Sequence, residues 1–389
     1  MSELQNIDRQ YVANTYKRFP IEIVSGKGSL VYDDAGKRYI DMGSGIAVTG
    51  FGIADDAWVA AVTEQLNKVQ HMSNLYYTEP CARLAQMLCE RTGMKKVFFG
   101  NSGAEANECA IKAARKYGAT RRGEACHTVL TLQGSFHGRT LTTLAATGQD
   151  HYHELYQPLT PGFAHTPVGD IEALDRAMNP TSVCALLIEC VQGEGGVNAL
   201  PIPFVQEAAR LAKERDILLM VDEVQTGNGR TGALYAYMRY GIAPDVVTTA
   251  KGLGGGLPIG ACMLGDKVES IFSYGDHGST FGGNPAACAG AVSILSRLDD
   301  AFLAAVAEKG ERIRAALSGA PGVKSVSGMG LMIGLETERP AGEIVRACME
   351  RGVLCLTAKN KVRLLPALNI PQALLDKALS VLLEECGRK

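Results

Sequence analysis

The stretch from Ile217 to Gly256 restricts what this chain can fold into more than any other. It opens on the apolar run Ile217-Leu218-Leu219-Met220-Val221 and passes through Asp222, Glu223, Val224 and Gln225. It closes on Val246-Val247-Thr248-Thr249-Ala250-Lys251, followed by glycines at 252, 254, 255 and 256. Short continuous apolar runs rich in branched residues read as strands covered on both faces, as in a parallel sheet. Each run delivers one charge at its C-terminal end, Asp222 from the first and Lys251 from the second, with enough chain between them for the crossover that parallel strands require. Ligands of open α/β sheets bind beyond those ends, so the two charges are expected to face one crevice.

A carboxylate and an amine on buried strand ends can be a structural ion pair or the two poles of a cofactor site. Pyridoxal phosphate calls for such a pair. Its aldehyde needs a lysine for a Schiff base, and its ring nitrogen needs an acidic partner to stay protonated and draw electrons. Glycines after Lys251 let the backbone run close to a flat ligand.

The remaining composition narrows the function class. A net charge of -2, with acids and bases mixed along the chain, favours neither nucleic acid nor an anionic membrane surface as partner. No apolar run approaches a membrane span, and the polar start from Met1 to Tyr11 does not read as a secretory signal, so a cytoplasmic location is expected. The 11 cysteines are odd in number and scattered through apolar patterns without a C-x-x-C pair, which reads as reduced, buried thiols. His151 and His153 flank Tyr152 with no further ligand nearby, so no metal site is expected.

In chain order, Leu30 to Met42 reads as a hairpin turning at Asp34-Ala35-Gly36, followed by a glycine-rich loop from Gly43 to Gly52. Helical spacing follows over Ala54–Val69 and Pro80–Arg91. A strand at Lys95–Phe99 leads into Ser102-Gly103-Ala104-Glu105, where Ser102 has an acid three residues on, the pattern of a capping box, and the helix is expected to continue to Lys116. That is an ordinary capped helix or a phosphate cradle, since a helix start presents free N–H groups and a positive dipole end. Strand Thr128–Leu132 precedes Phe136, an aromatic that can stack on a planar ring, and Arg139, whose fork can grip a carboxylate; a core phenylalanine and a solvated arginine are the plain alternative. Val183–Val191 reads as one continuous strand containing Glu189, and Pro203–Arg215 as a helix.

Strands and helices thus alternate from about residue 95 to 251, the pattern of a doubly wound, mostly parallel sheet. Past strand Ile259–Leu264 and a small-residue helix from Ala286, the texture changes near Leu298. Helix Phe302–Leu317, strands Val323–Val326, Leu331–Glu336, Val353–Leu356 and Val362–Leu365, a helix from Ala341 and a last helix Pro371–Glu385 suggest a smaller α+β unit. The expected division is a large cofactor-binding domain over 51–295 and a small C-terminal domain over 296–389, joined by an N-terminal segment over 1–50.

Several motifs together carry a resemblance. They are Asn-Ser-Gly-Ala-Glu-Ala at 101–106, Phe-His-Gly-Arg-Thr at 136–140, Gln-Gly-Glu-Gly-Gly at 192–196, Asp-Glu-Val-Gln-Thr-Gly at 222–227, Lys251, and Gly-Ser-Thr-Phe-Gly-Gly-Asn-Pro at 278–285. From about Tyr11 to its last helix the chain resembles the class III, fold-type-I pyridoxal-phosphate aminotransferases. The resemblance implies that Lys251 bonds the cofactor and shuttles the reacting proton, Asp222 pairs with the ring nitrogen, and Gln225 reaches the ring's phenolic oxygen. It implies Phe136 on one ring face and Val224 on the other, phosphate at Ser102, Gly103 and Ala104, and a homodimer in which Thr280 reaches the neighbouring subunit's phosphate and Ser279 lies beside the substrate. Arg139 is similar to the family's arginine for the distal carboxylate of a long donor, and Arg363 to the arginine for the α-carboxylate of glutamate and 2-oxoglutarate. Glu194 resembles the switch that pairs with Arg363 when the long donor is bound. Removing any of these should cost about 2–5 kcal/mol in a desolvated site.

Gly45 stands where the ornithine-using branch carries a tyrosine, which resembles the branch that takes N-acylated donors. The chain departs from the family's usual Gly-His and nearby His-Pro with Gly52-Ile53-Ala54-Asp55-Asp56, at the expected substrate mouth. A dehydrogenase fits poorly, because neither Gly252-Leu253-Gly254 nor Gly328-Met329-Gly330 gains the third glycine of a dinucleotide fingerprint. A non-catalytic member of the family would be expected to lack Lys251 or an arginine, and both arginines remain, which favours transamination over other pyridoxal chemistry.

Overall fold

The apolar runs sort their side chains to two faces of one sheet. In the structure, a computed structural model that describes residues 2–388, Leu218–Asp222 and Val246–Thr249 pair in parallel, with Met220 opposite Val246 and Asp222 opposite Thr248. They are the middle of a seven-stranded sheet in the order Lys96–Gly100, Gly260–Leu264, Val246–Thr249, Leu218–Asp222, Val183–Ile188, Thr128–Leu132, Phe163–Thr166. Only Gly260–Leu264 runs antiparallel to its neighbours. Leu218 and Met220 pack on one side with Ala185, Leu187 and Val246, while Leu219 and Val221 pack on the other with Leu186, Ile188 and Val247. That alternation is the two-residue period of a strand buried on both faces.

The helix Gly103–Arg122 lies across the first of these faces, through Cys109, Ala110, Ala113 and Ala114. It continues past the Lys116 expected from sequence. Its small residues let it come close: a Cβ on Gly118 would stand 2.0 Å from the Cys126 carbonyl oxygen. Ser102 caps it, Oγ accepting from the Glu105 N–H at 3.2 Å. The Glu105 carboxylate accepts from Ser102 Oγ and from the Asn101 N–H, both at 2.9 Å, so the reciprocal bond closes one residue earlier than a capping box prescribes.

Two expected strands are interrupted. Val183–Val191 ends at Ile188, and Val191–Gln192 pairs separately with Asn198–Ala199. The chain leaves the sheet at Glu189 because that carboxylate accepts the N–H groups of Phe136 (2.9 Å) and Gly193 (3.4 Å), which flank the sheet's end. Val353–Leu356 divides at Cys355. Val353–Leu354 pairs in parallel with Arg38–Asp41, placing Val353 beside Ile40, whereas Leu356–Ala358 forms a hairpin with Lys361–Leu364. One four-stranded sheet therefore joins both chain ends, in the order Ile23–Lys27, Leu30–Asp33, Arg38–Asp41, Val353–Leu354. Another runs Val323–Met329, Met332–Thr337, Lys361–Leu364, Leu356–Ala358.

The glycine-rich loop holds one turn of left-handed helix. Ser44, Gly45, Ile46 and Ala47 have φ of 46, 61, 63 and 64°. Each non-glycine residue there costs about 1–2 kcal/mol. Asp41 holds the entry to the turn, Oδ1 accepting from the Gly43 N–H at 2.8 Å and the Ser44 N–H at 3.0 Å.

Replacing Gly118 with alanine should lower stability by about 1–3 kcal/mol, since the added methyl must push the helix off the sheet. Thermal unfolding of the variant measures this; an unchanged midpoint would contradict so close a contact.

Candidate active site

Beyond the C-terminal ends of the central strands lies a cavity of about 580 Å³. Of the residues expected from sequence, Ser102, Gly103, Ala104, Phe136, Arg139, Asp222, Val224, Gln225 and Lys251 line it. Asn107, His137, Glu189, Val48 and Tyr16 line it too.

Asp222 ends its strand nearly buried, and its oxygens are held from three directions. Oδ2 accepts from Asn107 Nδ2 and faces His137 Nδ1, both at 2.8 Å, and Oδ1 accepts from the Val224 N–H at 3.0 Å. Asn107 is itself fixed, donating to the His137 carbonyl at 2.7 Å and accepting from Thr248 Oγ1 at 2.7 Å. Lys251 follows its strand by two residues, at a φ of 45° and at the start of a short 3₁₀ turn. The preceding bend is tied down by Asn228 Nδ2, which donates to Thr249 Oγ1 (2.9 Å) and the Ala250 carbonyl (3.2 Å). Burial lowers the Lys251 pKa below that of an ordinary lysine, although the Glu194 and Asp222 carboxylates pull the other way. Burial, with the Asp222 charge adding to it, pushes Glu189 well above the carboxylate range, against the two backbone donors.

The two arginines are in opposite states. Arg363 is buried and closed on protein groups: Nη1 donates to Glu194 Oε1 at 2.6 Å and to Gln225 Oε1 at 3.2 Å, and Gln225 Nε2 donates to the same glutamate oxygen at 3.0 Å. Burial raises Glu194, but the Arg363 guanidinium and these hydrogen bonds outweigh it and hold the carboxyl below its usual value. Arg139 has no ion-pair partner among the described residues. Its guanidinium stands 4.4 Å over the Tyr152 ring and 5.3 Å from that of Phe136, which aims it without neutralising it.

Ser279 and Thr280 lie outside the cavity wall, as do Arg363 and Glu194, which reach it only through Gln225. Ser279 Oγ accepts from Asn101 Nδ2 at 3.2 Å and from the Gly282 N–H at 2.9 Å, and Thr280 is exposed. Sequence reading passed over Asn107, Glu189 and Tyr16 as site residues. Asn107 had a signal, since it lies four residues after Gly103 on one helix face. Glu189 had one as a lone acid in an apolar run; Tyr16 had none.

The donor set fits a flat, phosphate-bearing aldehyde. Glu105 N–H is taken by the cap, leaving Gly103 and Ala104 as first-turn residues in the cavity wall, where N–H groups lack intrahelical acceptors. Gly103 is packed so closely on Val224 that a Cβ would come within 2.6 Å of its Cγ1. Phe136 and Val224 supply apolar walls, and an amine and an acid complete the set.

A sequence profile of aminotransferase class-III matches residues 11–385. The chain belongs to that family. It is similar to the acetylornithine aminotransferase of Haemophilus ducreyi, 48% identical over 98% of this chain and 97% of the relative, and to that of Methanothermobacter thermautotrophicus, 43% identical over 98% and 97%. Among solved structures it resembles an ornithine aminotransferase from Toxoplasma gondii described with partial occupancy of PLP at its active site (TM-score 0.93, 31% identity, 99% of this chain and 94% of that one). It also resembles the N-acetylornithine aminotransferase of Stenotrophomonas maltophilia (TM-score 0.84, 34% identity, 98% and 97%).

The lowered lysine pKa sets a pH dependence for cofactor capture. Neutral amine attacks an aldehyde, so the rate at which the apoprotein takes up pyridoxal phosphate should rise with pH through a midpoint below 10.5. Stopped-flow absorbance over a pH series measures it; a midpoint at or above that value would contradict the burial effect.

Proposed function

We propose that the protein is a pyridoxal-phosphate-dependent transaminase. It moves the terminal amino group of N-acetylornithine to 2-oxoglutarate, giving N-acetylglutamate semialdehyde and glutamate, a step of arginine biosynthesis. The observation that carries this reading is the pairing of a closed arginine, Arg363 on Glu194 at 2.6 Å, with an open one, Arg139. Two carboxylate-bearing substrates of different length must present different amines at the same place. With Arg363 neutralised, only the distal arginine is left to bind the carboxylate of a long donor; with Glu194 turned away, Arg363 can bind that of glutamate.

Pyridoxal phosphate, when bound, supplies an aldehyde carbon and an electron-withdrawing ring, the chemistry that amino-group transfer needs. Lys251 would bond it, Asp222 would hold the proton on its ring nitrogen, and Gln225 would meet its phenolic oxygen. Ser102, Gly103 and Ala104 would hold its phosphate, and Phe136 and Val224 would cover its faces. Lys251 Nζ, whose burial favours the uncharged amine, takes the proton from the amine-bearing carbon of the donor and later returns one. Asn107 and His137 keep Asp222 aimed through its Oδ2.

The acyl group has room at Gly45. A Cβ there would meet only Val48, at 3.7 Å, and Val48 lines the cavity. We further propose a cytoplasmic homodimer, with Thr280 of each protomer serving the phosphate of the other and Ser279 beside the substrate there. Supporting this, Thr280 faces solvent away from its own cavity, in a loop with Phe281 61% exposed and near the exposed Leu75, Tyr76 and Tyr77, an apolar surface that a lone chain would leave wet.

A panel of amino donors assayed against 2-oxoglutarate tests the substrate. N-acetylornithine should exceed ornithine in kcat/KM by more than about tenfold, roughly 1.4 kcal/mol. Equal values for the two donors would sink the assignment, and a stronger response to another acylated diamine would redirect it. Arg139→Lys should lose about 2–5 kcal/mol of kcat/KM for the long donor while keeping cofactor affinity. A parallel loss of cofactor, read by equilibrium titration, would show that Arg139 does not serve the donor's carboxylate.

A further inference from the structure

We propose that Arg230 is a positioning residue for the glutamate half of the reaction, fixing the chain that carries Arg363 against the loop after Asp222 that carries Gln225. This rests on the transaminase reading above. Arg230 touches neither cavity nor substrate. It is 2% exposed, among the largest fully buried side chains, and it makes no ion-pair contact among the described residues. Its Nη1 donates to the Leu331 carbonyl at 3.2 Å and the Pro366 carbonyl at 2.5 Å, and its own carbonyl accepts the Leu331 N–H at 2.9 Å.

Those two carbonyls bracket Arg363. Leu331 immediately precedes strand Met332–Thr337, in which Gly334 is the register partner of Arg363, and Pro366 lies three residues beyond Arg363 on its own chain. At the other end, Arg230 lies within the run of turns over 224–231 that follows strand Leu218–Asp222 and holds Gln225. One side chain therefore spans the loop that presents Gln225 and the two strands that present Arg363. The contact it sets in register is the 3.2 Å bond between Arg363 Nη1 and Gln225 Oε1, beside the ion pair to Glu194.

A buried guanidinium is costly to keep, and its Nε has no partner. Burial lowers its pKa to about 9, with Asp41 as the acid opposing that shift. An apolar side chain would fill the same space without the penalty but could not hold two carbonyls. Arg139 stands apart, on the loop after strand Thr128–Leu132, and owes nothing to this clamp. Loss of the clamp should therefore fall on the short substrates, whose carboxylate needs Arg363, and spare the long one.

The test uses purified holoenzyme carrying Arg230→Lys or Arg230→Gln. Each half-reaction is followed separately by the cofactor's absorbance, with glutamate alone or N-acetylornithine alone. The wild-type rates with the two donors, taken first, check the transaminase reading itself. Arg230→Gln should lose tenfold or more in kcat/KM with glutamate, mainly through KM, and less than threefold with N-acetylornithine. Arg230→Lys should recover part of the glutamate loss, because an ammonium can still donate to both carbonyls. Equal losses with the two donors, or no loss with glutamate, would overturn the proposal. Should Arg230→Gln not fold, Arg230→Lys combined with Arg363→Ala decides. If Arg230 acts through Arg363, the lysine costs nothing further with glutamate in that background; an undiminished cost there would also overturn it.

Discussion

A carboxylate at the tip of a buried strand cannot be left without donors, and the way Asp222 is satisfied locks the rest of the site. Its three donors come from three places: the helix Gly103–Arg122 through Asn107, the loop after strand Thr128–Leu132 through His137, and its own loop through the Val224 N–H. The first two elements lie far from Asp222 in sequence, 115 and 85 residues away, and meet it only because the strands are ordered as they are. Thr248, from the strand that leads to Lys251, closes the network by donating to Asn107. Acid, amine and helix start are thus fixed relative to one another by hydrogen bonds between protein groups alone, which is what preorganisation requires of a site.

The two arginines follow different rules. Arg363 is paired with Glu194 and steadied by Gln225, so the role proposed for it would require that pair to open. Arg139 stands over two aromatic rings with no acidic partner among the described residues, which suits the role proposed for it. The two modes have different energetic consequences. Opening a buried pair exposes both members to an unfavourable environment unless a new carboxylate replaces the old one. An aromatic platform demands no such exchange. Under the transaminase reading proposed above, the two donors differ both in the arginine they would engage and in the amine-bearing carbon they present, a terminal CH2 in one and an α-carbon in the other.

Much of this could be read from the chain. The inner strands of the central sheet were legible because Val183–Ile188, Leu218–Asp222 and Val246–Thr249 are buried along their length, with Asp222 and Lys251 as charged residues at or just past their ends, whereas the partly exposed edge strand Phe163–Thr166 went unread. Failures came where that logic breaks. Glu189 sits inside such a run, yet the strand stops before it, because its carboxylate is wanted by the N–H groups of Phe136 and Gly193, a tertiary demand that no local pattern records. Cys355 looks like strand interior but marks the corner where the chain passes from one sheet to another. Tyr16 lines the cavity from a segment without secondary structure, and nothing in its neighbours announces it. The roles proposed for Ser279 and Thr280 would need a second subunit, so the fold of one chain gives them no contact to read.

The parallel pairing of Arg38–Asp41 with Val353–Leu354 has a consequence for how the protein is made. The central sheet is complete once residue 264 has emerged from the ribosome, so its hydrophobic layers can close while synthesis continues. The early hairpin, by contrast, has no fourth strand to dock until the last tenth of the chain is translated. Its Arg38–Asp41 edge must wait with backbone donors and acceptors unpaired, a hazard for contacts with other nascent chains. The order of events that follows is the sheet bearing Asp222 and leading to Lys251 first, and the strand bearing Arg363 last.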